Sequence, residues 1–320
     1  MAMPKIGIAF GAGIARGWAH IGVLRALSEA GIEPHVIAGT SIGAVVGGCY
    51  AAGRISQLEE FARHLTRRRV FGYFDFNLTG SGLINGQKLS NVLEGELGGL
   101  QIESMERPFT AVATEIGTGH EVWLSRGRMV DALKASYAIP GVFRPVRMGE
   151  RWLFDGALVN PIPVTVCRAM GAQYVIAINL NADLFGLGTV LADIEAHHAD
   201  PEPAEPPTGI KPNGWGAKQL IQSQIFGRRK QATNQTPNIS AVMIDAFNIV
   251  NDRIARSRLA GDPPDVMISP RLGGVGMFDF HRADELIERG YLATKRVLSD
   301  VKGDLQQAPA VRRPTVVMQT

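Results

Sequence analysis

The amino-acid sequence predicts an α/β protein built on a mainly parallel sheet with helices on both faces. Short β-branched apolar runs alternate with longer helical patterns, each run ending in glycine-rich punctuation, and this strand–helix–strand–helix order implies parallel pairing. At 320 residues with 45% hydrophobic content, the chain has material for one large α/β domain or two small ones.

The first strand is KIGIAF (5–10), closed by Gly11-Ala12-Gly13. A helix follows with Trp18, Ile21, Leu24 and Leu27 on one face and stops at Gly31. A second strand, 35–39, feeds Ser41 and an Ala/Gly-rich helix that ends near Gly53. Further helices are expected at 55–66 and 87–97, then strands at 109–115 and 121–125 and a helix over 127–138. RWLFDGALV (151–159) reads as two strands around an Asp-Gly turn, and YVIAINL (174–180) returns to the sheet. A helix at 238–260, a strand at 265–269 and a helix at 280–298 complete the pattern. We expect a single domain over 1–302. Within it, the Pro- and Gly-broken stretch 183–237 forms a mobile insertion or lid, and 303–320 a poorly ordered tail.

Charge and composition exclude several functions. The net charge of +3 is the small difference between 33 basic and 30 acidic side chains, too weak a field to hold nucleic acid. Cys49 and Cys167 sit in apolar surroundings and are expected to be buried free thiols, which points to the cytoplasm. The start MAMPKIGIAF lacks the features of a signal peptide, and no apolar run approaches the ~20 residues of a spanning helix. Membrane contact is therefore expected to be peripheral, at the inner face. The histidines, including His197-His198, show no zinc-ligand spacing, so neither a metal nor a cofactor is called for.

Gly39-Thr40-Ser41-Ile42-Gly43 lies between a strand and a helix, the setting of a nucleophile elbow. The turn is so tight that Gly39 and Gly43 are needed on either side, and it lifts Ser41 toward solvent beside a helix N-terminus that favours developing negative charge. A Ser-capped small-residue turn is the blander alternative. Gly11, Gly13 and Gly17 do not fit G-x-G-x-x-G, because Arg16 stands at its last glycine and no acidic residue closes the second strand. The amides around Gly13 and Ile14 instead form an anion cradle aimed at the elbow, with Arg16 adding charge or ordering the loop. A generic phosphate loop stays open. For the base, Asp155 at the tip of its turn competes with His281, a late histidine that also reads as a helix start.

Gly11-Ala12-Gly13-Ile14-Ala15-Arg16-Gly17, Gly39-Thr40-Ser41-Ile42-Gly43 and Asp155-Gly156-Ala157 followed by Asn160-Pro161 stand in one order. Together they resemble the patatin-like phospholipase family, in particular bacterial members similar to the neuropathy target esterase catalytic domain. The resemblance covers 5–181 and resumes in RIARSRLAGDPPDVMISP (253–270). It implies a three-layer α/β/α sandwich, a Ser-Asp dyad, and hydrolysis of acyl esters in phospholipids, lysophospholipids or related lipids. Carried over, Ser41 is the nucleophile and Asp155 the base, Gly156 supports the motif, and Gly11, Ala12, Gly13, Ile14, Arg16 and Ile42 make the oxyanion hole. One departure is Ala12, where many members have glycine. The rivals are a Ser-His-Asp esterase using His281 and a non-catalytic lipid-binding protein of the same fold.

Overall fold

The structure, a computed structural model, describes residues 3–73, 86–184 and 239–307. Five parallel strands form the centre: β1 (Ile6–Phe10), β2 (Val36–Thr40), β3 (Phe109–Glu115), β7 (Tyr174–Ile178) and β8 (Val266–Ile268). Three antiparallel strands extend the β3 end: β4 (Glu121–Leu124), β5 (Val146–Met148) and β6 (Arg151–Asp155). The order is β5-β6-β3-β2-β1-β7-β8, with β4 also paired to β3.

Side-chain size sorts the two faces of the sheet. Ile6, Ile8, Phe10, Ile37, Ile176 and Ile178 enter the larger core. Their alternates Ala9, Ala38, Val175 and Ala177 enter the smaller one, as a two-residue period requires. The large face packs on α1 (Ala19–Glu29), α2 (Ile42–Ala51), α6 (Met129–Ser136) and α9 (Ala283–Gln307), and the small face on α7 (Val164–Ala169) and α8 (Ile239–Gly261). This is the expected three-layer α/β/α sandwich. Helices α3 (Ile55–Arg63), α4 (Arg67–Tyr73) and α5 (Gln87–Leu97) lie beyond α2 on the large face.

Helices α1 and α9 cross at two glycines. A Cβ on Gly22 would lie 1.8 Å from Ile287 O, and one on Gly290 would lie 2.0 Å from Ala19 O, so each backbone occupies the other's side-chain space.

Two local expectations change. Asp155 is not at a hairpin tip: the hairpin joins β5 to β6, while Gly156–Leu158 is a short 3-10 turn. The Asp155 side chain caps that turn by accepting from Ala157 N, which removes the need for a return strand. Helix α9 continues through Gly303 to Gln307, with Val301 and Leu305 buried, so the expected tail is helical in its first five residues. Residues 308–320 and all but Asp183 and Leu184 of the expected insertion 183–237 lie outside the described residues. Cys49 and Cys167 are buried free thiols, as expected.

Candidate active site

The strand register brings two loop ends together. On one edge of β3, β2 pairs in parallel as far as Thr40 opposite Val112. The next position, Ala113, pairs with Asp155 of the antiparallel β6. The two strands thus approach head-on along a shared partner, and Ser41, one residue past Thr40, meets Asp155. Ser41 Oγ donates a 2.6 Å hydrogen bond to Asp155 Oδ2.

Ser41 holds φ 59° and ψ −127°, a conformation costly for a residue with a side chain. Several contacts hold it there. Its N–H donates to Ser136 Oγ at 2.9 Å, and the Ser136 hydroxyl donates to Val112 O at 2.6 Å. Glycine is required on both sides: a Cβ on Gly39 would lie 2.5 Å from Gly43 O, and one on Gly43 would lie 2.3 Å from Phe10 O. The close approach at Gly43 also locks the elbow against the loop after β1. Ser41 itself is buried at 3% exposure, where solvent exposure was expected, and it shares an apolar pocket with Ile14 and Trp18. Ser136 was not singled out in the sequence, since a serine inside an amphipathic helix carries no pattern of its own.

Asp155 is fully buried. Burial pushes its carboxyl up to about 7, against the lowering effect of hydrogen bonds from Ser41 and Ala157. Its backbone is fixed by Asp155 N to Ala138 O (3.0 Å) and Thr114 Oγ1 to Asp155 O (2.8 Å). Gly156 lies so close to β3 that a Cβ there would stand 2.3 Å from Val112 O. The Asn160-Pro161 pair that follows stitches the three motifs together: Thr40 Oγ1 donates to Asn160 O and Ala12 N to Pro161 O.

The loop after β1 divides its amides. Gly11 N donates to Ile178 O and Ala12 N to Pro161 O, so neither N–H is available to an oxyanion, in contrast to expectation. Gly13 N, Ile14 N and Ile42 N have no acceptor among the described residues, and they flank Ser41 at the starts of a 3-10 turn (Ile14–Trp18) and of α2. Arg16 orders this loop: it donates to Asn181 Oδ1 at 3.3 Å and Val275 O at 2.9 Å, and burial brings it down to about 10. His20 braces it from beneath through Nε2–H to Gly11 O at 2.8 Å, and burial keeps this imidazole neutral, at about 4.

His281 does not reach the serine hydroxyl's acceptor position, which Asp155 holds. Its Nε2 accepts from Arg67 Nε at 3.1 Å in the short turn before α9.

An apolar cavity of about 170 Å³ opens from Ser41 and runs between α2, α3 and α5, walled by Ile42, Val45, Leu58, Phe61, Leu93 and Phe143. Cys49 also lines it. Burial pushes that thiol up to about 12, so it is a protonated, apolar wall. Among the described residues no group of three or more His, Cys, Asp or Glu could hold a metal ion, and no helix is long and apolar enough to cross a membrane.

The family model for patatin-like phospholipase matches residues 8–168, which span both loops, the elbow and Asp155. The chain belongs to the patatin-like phospholipase family. An uncharacterized NTE family protein of Mycobacterium tuberculosis is 31% identical over 96% of this chain and 95% of its own length. Patatin-like phospholipase domain-containing protein 7 of Rattus norvegicus is 31% identical over 58% of this chain and 15% of that protein. The crystal structure of VipD from Legionella pneumophila aligns at 12% identity with a TM-score of 0.47, covering 93% of this chain and 67% of that one. As a patatin-like phospholipase family member, the protein is a hydrolase of lipid esters.

Proposed function

We propose that the protein cleaves long-chain acyl esters of phospholipids, lysophospholipids or related lipids through a two-residue Ser41-Asp155 machinery. The single observation that carries this reading is the 2.6 Å hydrogen bond to the buried Asp155 carboxylate from the Oγ of Ser41, which lines an apolar cavity. The cavity suits a fatty acyl chain, because burying each methylene contributes about 0.8 kcal/mol.

In the first half-reaction Ser41 Oγ attacks the ester carbonyl while its proton passes to Asp155 Oδ2. The amides of Gly13, Ile14 and Ile42 stabilise the charge that develops on the carbonyl oxygen, and the α2 N-terminus adds to them. Asp155 then returns the proton to the departing alcohol. Water attacks the acyl-Ser41 ester as Asp155 takes its proton, and Asp155 returns that proton to Ser41 Oγ as the acyl C–O bond breaks and the fatty acid leaves. Burial suits Asp155 to this work: a carboxylate near 7 is a far better base at neutral pH than an exposed one near 3.8. The substrate resides in lipid aggregates, so the protein works at a lipid surface by peripheral contact.

Fatty-acid release from long-chain esters tests the reading. Ser41→Ala and Asp155→Asn should each lose at least ~10³-fold in kcat while staying folded, and His281→Ala should keep most activity. Activity retained by Ser41→Ala, or lost only in His281→Ala, would refute it.

A further inference from the structure

A second chamber touches Ser41, with chemistry opposite to that of the acyl cavity. It is walled by Gly13, Ile14, Arg16, Asn181, Asn248 and Asn251, and at about 10 Å³ it holds one atom-sized polar group. Gly13 and Ile14 bring amides without acceptors to this space. Ser41 and the side chains of Arg16, Asn181, Asn248 and Asn251 thus share one small space.

Two of its three asparagines are already committed. Asn181 Nδ2 donates to Ala12 O and its Oδ1 accepts from Arg16, while Asn248 Nδ2 donates to Met277 Sδ. Asn251 is different. It is 4% exposed, its Oδ1 has no partner, and among the described residues its side chain makes no hydrogen bond. Leaving a buried amide unpaired costs on the order of 1–3 kcal/mol, a cost that is understandable where a ligand completes the bond. Among the described residues no hydrogen bond fixes either orientation of this amide, so the charge of the occupant decides which end faces it. A negative oxygen selects Nδ2. Arg16 Nε, also buried without a partner, leaves a second donor in the same wall.

We propose that Asn251 is a side-chain donor to the oxyanion, so that α8 completes a hole whose other donors are the amides of Gly13, Ile14 and Ile42. This rests on the Ser41 reading. The ester carbonyl oxygen enters the chamber, and as the Ser41 Oγ–C bond forms the carbonyl π pair moves onto that oxygen and is met by Asn251 Nδ2–H. When the C–O bond to the alcohol breaks, the pair returns to the carbonyl and Asp155 delivers the proton to the alcohol. Asn251 is a catalytic residue in this scheme, and α8 is a part of the active site as well as a cover for the small face of the sheet. The ion pair of Arg258 with Glu121 ties α8 to β4 close to that position.

The test compares Asn251→Leu, Asn251→Ala and Asn251→His in the full chain, using two probes. One is a long-chain trifluoromethyl ketone, whose adduct on Ser41 carries an oxyanion. The other is an ether analogue of the substrate, which carries none. Asn251→Leu and Asn251→Ala should lower kcat about 10²-fold with KM little changed, and ketone affinity should fall by a similar factor. Ether binding and melting temperature should hold, and Asn251→His, which restores a donor, should regain part of kcat. If kcat is unchanged in the soluble variants, the proposal fails. It also fails if kcat falls without a matching loss of ketone affinity, or together with ether binding and melting temperature, because the residue then acts only on packing. Ser41→Ala separates the two levels: its retained activity would sink the dyad, whereas unchanged Asn251 variants beside an inactive Ser41→Ala would sink only the role of α8.

Discussion

Ser41 Oγ lies 2.6 Å from Asp155 Oδ2 at the point where β2 and β6 meet head-on along β3. This relationship is a consequence of register. Val112 and Ala113 are consecutive on β3, so the strand that leads to Ser41 and the strand that carries Asp155 cannot separate without breaking the sheet. The Ser41–Asp155 contact is thereby built into the central sheet.

The first prediction concerns pH. Asp155 must be ionised to accept the Ser41 proton, and burial holds its carboxyl at about 7. The value of kcat/KM should therefore rise tenfold per pH unit below about 7 and level off above it. A profile already flat from pH 5 upward, measured with a soluble nitrophenyl ester, would contradict the assignment.

The second concerns stability. The Asp155 carboxyl is raised from 3.8 to about 7 on folding, so between these values the folded chain holds a proton that the unfolded chain has released. Its stabilising contribution is complete below about 3.8 and is lost as pH rises through about 7. Asp155→Asn does not titrate and keeps the size and hydrogen-bonding capacity of the group. The variant should be more stable than the parent at pH 8, by on the order of 1 kcal/mol or more, and the gap should shrink as pH falls toward 5. Denaturant midpoints at the two pH values give the answer, and a variant that is less stable at pH 8 would count against a strained, buried carboxylate.

Much of this was legible in the sequence, for a physical reason. The elbow and the first loop need glycine where backbones nearly touch, as at Gly39 and Gly43, so their geometry is written directly in residue type. Asp155 was legible as a residue but not in its setting. Asp-Gly suggested a hairpin tip, whereas the hairpin turn falls earlier, between Met148 and Arg151, and Asp155 ends a strand. Ser136 and Asn251 carry no local signal, because their importance comes from β3 register and from a helix more than 200 positions beyond Ser41. Helix α7 was missed because VTVCRA is rich in β-branched residues, and its packing on β1 overrides that propensity. Helix α4 and strand β5 are too short to give a period.

The third prediction concerns the acyl cavity. Ile42, Val45 and Cys49 line it from one face of α2, and at 1.5 Å per residue Cys49 stands about 12 Å along the helix from Ser41. Cys49→Trp should block the chain path at that depth. Hydrolysis of palmitoyl esters should fall at least ~10-fold relative to butyryl esters, with butyryl turnover little changed. An equal loss on both substrates would place the acyl chain elsewhere.

The central claim is that Ser41 carries the acyl group, and acid quenching during steady-state turnover of a palmitoyl nitrophenyl ester tests it most directly. Peptide mass spectrometry should then find the palmitoyl adduct on Ser41. The adduct should be absent from Ser41→Ala. Palmitoylation of a different side chain, with hydrolysis surviving in Ser41→Ala, would contradict the account.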